Sequence, residues 1–291
     1  MIRQTQEDRS LYWPLARIRA SDPIFPRGNS PYRDSLFTGL PITDYFAATP
    51  LARQTTTCLL LSLIMPPSFS LFDFCCWLVV FLMSMSAHEA AHAFTAKCLG
   101  DPTAYLGGQV TLDPIPHIRR EPIGMLVLPI VSYLSSGWMI GWASAPYNPA
   151  WAAQYPRRAA VMAFAGPGAN FVISLICWIG LKLGLSAGFF IPGDTGLFSE
   201  TVISVQTGLP HLAAVLLSLG FSLNLLLGVF NLIPLPPLDG SALPLLFLGR
   251  GATLAYQRMR GGLSLFGLIV AWQIFPRIYR PIWFWMESTL R

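Results

Sequence analysis

His88-Glu89-Ala90-Ala91-His92 sets two imidazoles four residues apart with a carboxylate between them. On a helix that spacing stacks both rings on one face, about 6 Å apart along the axis, so both can reach one metal ion. The glutamate beside them is placed to take a proton from a metal-bound water, which is hydrolytic chemistry. Far along the chain, Asn231-Leu232-Ile233-Pro234-Leu235-Pro236-Pro237-Leu238-Asp239-Gly240 carries a second carboxylate in equally apolar surroundings. The two segments read together as one zinc site.

The solvent around the first segment sharpens that reading. The run Phe74-Cys75-Cys76-Trp77-Leu78-Val79-Val80-Phe81-Leu82-Met83 leads into the motif and belongs in lipid. A single histidine on an apolar helix is ordinarily a hydrogen-bonded core residue. Three ionisable residues clustered in a membrane segment are different, because each unpaired charge there costs about 2.5–3.5 kcal/mol or more.

Composition points to the same solvent. Of 291 residues, 53% are hydrophobic and only 11% charged, with a mean hydropathy of +0.52. Soluble domains carry about 25% charged residues, so the polar coat that water demands is missing. A net charge of +5 invites a nucleic-acid reading, which fails because the arginines sit in short clusters between apolar runs, not along one stripe. The five cysteines, Cys58, Cys75, Cys76, Cys98 and Cys177, show no C-x-x-C spacing and read as small core residues. Residues 1–54 form a separate polar tail with seven arginines and no signal-peptide core, and 55–291 form the membrane domain. The short run Cys58–Met65 stops at Pro66-Pro67 and stays undecided as a span.

Positioning the chemistry requires helices that cross a bilayer. Three spans are expected: about Phe74–Leu99 with the metal motif, about Ala159–Leu185 interrupted near its start by Gly166-Pro167-Gly168-Ala169-Asn170, and His211–Ile233. A fourth, from Gly262 to Phe275, is short and could extend through Trp283-Phe284-Trp285, an interfacial aromatic cluster. Arg157 and Arg158 precede the second span and Arg250, Arg258 and Arg260 follow the third, while 186–209 holds no lysine or arginine. The positive-inside rule therefore puts 186–209 outside and the flanking ends in the cytoplasm, with Asp239 near that face. The chain between the first and second spans must then cross an even number of times. Ile123–Ala143 looks like a span, but Pro129, Ser132, Ser135, Ser136 and Gly137 break it, so it should dip in and return.

These motifs resemble the site-2 protease family of intramembrane zinc metalloproteases, in its compact bacterial branch without PDZ or CBS domains. The likeness covers roughly residues 80–245. It rests on the H-E-x-x-H segment, Gly107–Pro114, Gly141-Trp142-Ala143, Ala165–Asn170 and Phe230–Gly240. It implies a polytopic, mainly α-helical membrane bundle with a three-helix zinc core, and membrane-associated strands after the zinc helix. It implies that His88, His92 and Asp239 bind one zinc ion and that Glu89 is the general base. Asp113 stands where the family usually has asparagine, and His117-Ile118-Arg119-Arg120-Glu121-Pro122-Ile123-Gly124 is two residues longer than the family's H-x-D-P-x-G.

The expected activity is hydrolysis of peptide bonds in membrane-embedded segments near the cytoplasmic face, in a multi-pass cell-membrane protein. Its partners would be a transmembrane protein substrate and the lipid bilayer, with no nucleic acid. Asn170 and Asn231, amides beside helix-breaking residues, could hold the unwound substrate or act as helix–helix glue. His117 could contact substrate or support the site. The alternative is a metal-binding membrane scaffold or carrier that hydrolyses nothing. A carrier would ordinarily show internal repeats, and a dead scaffold would have lost Glu89 or a ligand.

Overall fold

The computed structural model describes residues 69–193, 196–248 and 250–291. The polar tail 1–54 and the run Cys58–Met65 lie outside the described residues. Helix α1, Leu71–Cys98, is capped by the Ser70 hydroxyl, which accepts from the Asp73 N–H at 3.2 Å. Asp73 in its first turn and Lys97 in its last complement the helix dipole. Its 28 residues reach about 42 Å, more than a ~30 Å hydrocarbon core requires.

After α1 come two short helices, α2 (Thr103–Leu106) and α3 (Pro114–Arg120). A π-helical turn, Ile123–Val127, then runs directly into α4, Leu128–Ser136. The strands implied by the resemblance do not form here. Asp113 instead caps a helix, its carboxylate accepting from the Ile115 N–H at 2.9 Å, with Pro114 in the first turn and His117, Arg119 and Arg120 in the last. Among the described residues the paired strands are β1 (Phe190–Pro192) and β2 (Val202–Ser204), an antiparallel pair beyond the second long helix.

The apolar stretch 123–143 turns back on itself. From Ile123 to Ser136 is 14 residues of helix, about 21 Å and too short for a full crossing. Gly137 then takes φ +77° and reverses the chain. The returning strap is tied to the helix it left: Ile140 N–H donates to Ser132 Oγ at 2.9 Å, and Trp142 N–H to the Gly124 carbonyl at 3.2 Å. Two glycines allow this approach. A Cβ on Gly124 would lie 2.2 Å from the Trp142 carbonyl oxygen, and one on Gly141 would lie 2.2 Å from the Gly124 carbonyl oxygen.

Helix α5 is Pro149–Gln154 and α6 is Pro156–Ser186. The break expected at Gly166–Asn170 is absent, because α6 continues straight through Pro167. An internal proline forfeits one hydrogen bond, which membrane helices tolerate when their neighbours supply packing and polar partners. Helix α7, Leu209–Asn231, leads to a 3-10 segment at Asp239–Leu246, then α8 (Arg250–Gly262) and α9 (Ser264–Ser288). Helices α1, α6 and α7 are each long and apolar enough to cross a membrane. Helix α9 has the length, yet carries Pro276, Arg277, Arg280 and Pro281 along it.

The C-terminal end of α1 and the start of α6 lie at one end of the bundle. The Leu99 carbonyl accepts from Arg158 Nη1 at 3.1 Å and from Trp151 Nε1 at 3.4 Å. Arg157 Nε donates to the Leu246 carbonyl at 3.2 Å, bringing the segment after α7 to the same end. Asp101, 1% exposed, accepts from the Asn148 N–H at 2.7 Å and from the Thr103 N–H at 3.0 Å. Burial pushes its carboxyl up, but the Thr103 hydroxyl and the two backbone N–H groups outweigh that and hold it below the ordinary value. The resulting stability is present above the unfolded pKa of about 3.9 and is lost as pH falls through the lower folded value. Asp101→Ala should therefore lower stability by about 1–3 kcal/mol at neutral pH. In thermal unfolding scans in detergent the two proteins should converge as the medium is acidified. A gap that stayed constant with pH would show that the carboxylate's charge is not what holds the junction.

Candidate metal centre

His88, Glu89 and His92 lie past the middle of α1, all buried, and their ligand-capable atoms fall within 4.8 Å of one another. The 3-10 segment after α7 delivers Asp239 to the same point. Asp239 Oδ2 is 3.0 Å from His88 Nε2 and 3.4 Å from His92 Nε2, and the two Nε2 atoms are 3.0 Å apart. Gly240 makes that delivery possible, since a Cβ there would lie 2.2 Å from the Leu232 carbonyl oxygen.

Each ring is held from behind through Nδ1, which leaves Nε2 facing Asp239. His92 Nδ1 donates to the Met162 carbonyl at 2.8 Å, and His88 Nδ1 donates to Asn170 Oδ1 at 2.5 Å. The orientation of Asn170 is itself determined. Its Nδ2 donates to Asn224 Oδ1 at 2.8 Å, and Asn224 Nδ2 donates to the Gly220 carbonyl at 2.8 Å and to Ser84 Oγ at 2.9 Å. A backbone carbonyl can only accept, so the chain of amides reads in one direction and ends with the proton on His88 Nδ1. Both Nε2 atoms then present lone pairs, and so does the carboxylate. Three electron-rich atoms at 3.0–3.4 Å repel unless a metal ion or a proton lies between them.

A tetrahedral zinc with N and O ligands at about 2.0–2.1 Å spaces its donors about 3.3 Å apart, which the triad matches. Gly166 on α6 leaves room beside it. A Cβ at Gly166 would stand 2.3 Å from His92 Nε2 and 2.5 Å from His88 Nε2, so the glycine keeps the space beside both donors open. The donor set, the fixed tautomers and the vacant volume all fit zinc.

These groups open on a cavity of about 910 Å³ with largely apolar walls, including Met85, Leu128, Ile140, Phe230 and Trp272. Asn231 also lines it, its Nδ2 donating to the Leu227 carbonyl at 3.1 Å. Asn170 is fully buried behind His88, away from the cavity wall. His117 is 1% exposed and stands apart from the cavity, with Nε2 donating to the Thr111 carbonyl at 3.0 Å. Sequence reasoning passed over Gly166 as a space-maker and Asn224 altogether. Asn224 lies within the apolar α7, where the cost of an unpaired amide was the available signal.

A model of "Peptidase family M50" matches residues 76–273, spanning both halves of the metal centre. The chain belongs to this family. Relatives of this M50 chain include "Putative zinc metalloprotease YwhC" of Bacillus subtilis, 34% identical over 164 residues, covering 56% of this chain and 64% of that protein. "Putative zinc metalloprotease Rip2" of Mycolicibacterium smegmatis is 30% identical over 159 residues, 55% of this chain and 52% of that one. The M50 chain thus aligns with between half and two thirds of the length of these relatives. No solved structure matches it.

Proposed function

We propose that this M50 chain is a zinc-dependent intramembrane endopeptidase that cuts membrane-embedded protein segments near the cytoplasmic face of the cell membrane. The observation that carries this reading is the convergence of two fixed imidazoles and Asp239, with Glu89 beside them, on one apolar cavity within membrane-length helices. His88, His92 and Asp239 would hold one zinc ion. When bound, zinc supplies a Lewis acid and a water acidic enough to react near neutral pH. Glu89 takes the proton of the attacking water and returns it to the leaving amine. Asn170 keeps the His88 ring in its ligand tautomer, an outer role of the kind that supports metal sites generally. Asn231, on the cavity wall, is placed to bond an unwound substrate backbone. His117 serves the local structure through its bond to Thr111.

Orientation follows from charge. Arg157 and Arg158 sit at the end of the bundle where α1 finishes and α6 begins, and the β1–β2 hairpin lies in the connection without lysine or arginine. The positive-inside bias puts the first end in the cytoplasm. His88 is ten residues from the end of α1, about 15 Å, which is close enough for water to arrive from that side.

The test is cleavage of a dye-and-quencher-labelled single-span peptide by the purified protein in detergent. Turnover should stop with a zinc chelator and return when zinc is added back. Zinc bound at full stoichiometry with no cleavage of any membrane peptide would favour the scaffold or carrier instead.

A further inference from the structure

The strap that follows Gly137 forms one wall of the cavity, through Ile140, Gly141, Trp142, Ala143, Ser144, Ala145 and Tyr147. Among the described residues no strand pairs with it. Its position beyond Trp142 is set by two charged residues outside the cavity lining. Glu121 Oε1 accepts from the Ser144 hydroxyl at 2.6 Å and Oε2 from Trp142 Nε1 at 3.4 Å. Arg120 Nε donates to the Ser144 carbonyl at 3.0 Å. Both lie in the stretch Arg119–Gly124, where the sequence is longer than the related motif and bears Glu121 in place of aspartate. The next residues fix the other side of the strap, through the Gly124 carbonyl and the N–H of Trp142.

We propose that Arg120 and Glu121 are substrate-positioning residues: they clasp the strap at Trp142 and Ser144 and so set the width of the substrate cavity, without touching the metal or the attacking water. This rests on the peptidase reading, which it deepens. Beyond Trp142 the strap's backbone has few other bonds among the described residues, so without the clasp that part would move more freely. Fixing it in advance removes an ordering cost from substrate binding, so the clasp acts on affinity and not on bond breaking. The hydrogen bonds involved engage charged groups, the stronger kind.

Glu121→Ala and Arg120→Ala should each raise KM for the labelled single-span peptide about tenfold while kcat stays within about twofold. Glu121→Gln keeps one oxygen acceptor for the Ser144 hydroxyl but none for Trp142 Nε1, and should give a KM between those of wild type and Glu121→Ala. Amide hydrogen exchange gives a second readout that needs no substrate. Exchange across 139–147 should speed up about tenfold in Glu121→Ala, with 88–92 and zinc content unchanged. A fall in kcat with KM unchanged, or a strap equally protected with and without Glu121, overturns the proposal. Wild-type protein that cleaves nothing would defeat the peptidase reading, and exchange would still decide the clasp.

Discussion

Glu89→Gln should bind zinc at full stoichiometry and lose cleavage by about 10²–10⁴-fold, the usual contribution of a positioned general base. Glutamine has nearly the shape of glutamate, and Glu89 is buried at 3% exposure, so the packing around α1 is kept. His88, His92 and Asp239 retain every contact made from behind, including those to Asn170 and Met162. What disappears is a group able to accept a proton. Metal analysis of the purified variant beside turnover of the labelled peptide separates the two effects. Wild-type turnover in a clean preparation would remove Glu89 from the chemistry, and loss of zinc would make it a ligand.

Gly166→Ala should empty the metal site while leaving the helix sound. Alanine is the better helix former by about 1 kcal/mol, so the substitution ought to stabilise α6 locally. Its methyl group, however, lies 2.3–2.5 Å from the two Nε2 atoms. The rings must swing away, giving up the bonds to Asn170 and Met162 that fix their tautomers. Zinc affinity should fall by about 100-fold or more, at or beyond the upper end of what losing an outer partner costs. Competition with a chelating dye measures this directly. A variant that held zinc as tightly as wild type would show that the ion does not sit beside α6.

The expectation of a metal centre came from features written locally. The four-residue spacing of His88 and His92 survives any uncertainty in helix ends, and the cost of charge in lipid marks Glu89 whatever surrounds it. Asp239 was legible through its motif and through the depth that the charge distribution assigned to it. The return of 123–143 followed from parity, and the hydrogen bonds of Trp142 and Ile140 show how it is made. Gly166 was misjudged because Gly-Pro-Gly is ordinarily a breaker, and only the folded site reveals that the missing side chain leaves space beside the two Nε2 atoms. Strands after α1 were expected by resemblance, where the Asp113-Pro114 cap starts a helix instead. Asn224 could not be paired from sequence, since its partners are Ser84, 140 residues away, and Asn170, 54 residues away.

That last separation bears on how the molecule comes into being. Ser84, Asn170 and Asn224 belong to three different helices, so none of these polar groups finds all its partners until α1, α6 and α7 have docked. Helices enter the bilayer in order of synthesis, and of these three α7 arrives last. Until then Asn170 has no Asn224 to orient it, the imidazole of His88 has no fixed tautomer, and Asp239 has yet to be translated. A newly made chain therefore lacks an assembled triad while it threads into the membrane. The triad is completed by the final docking step and belongs to no single helix.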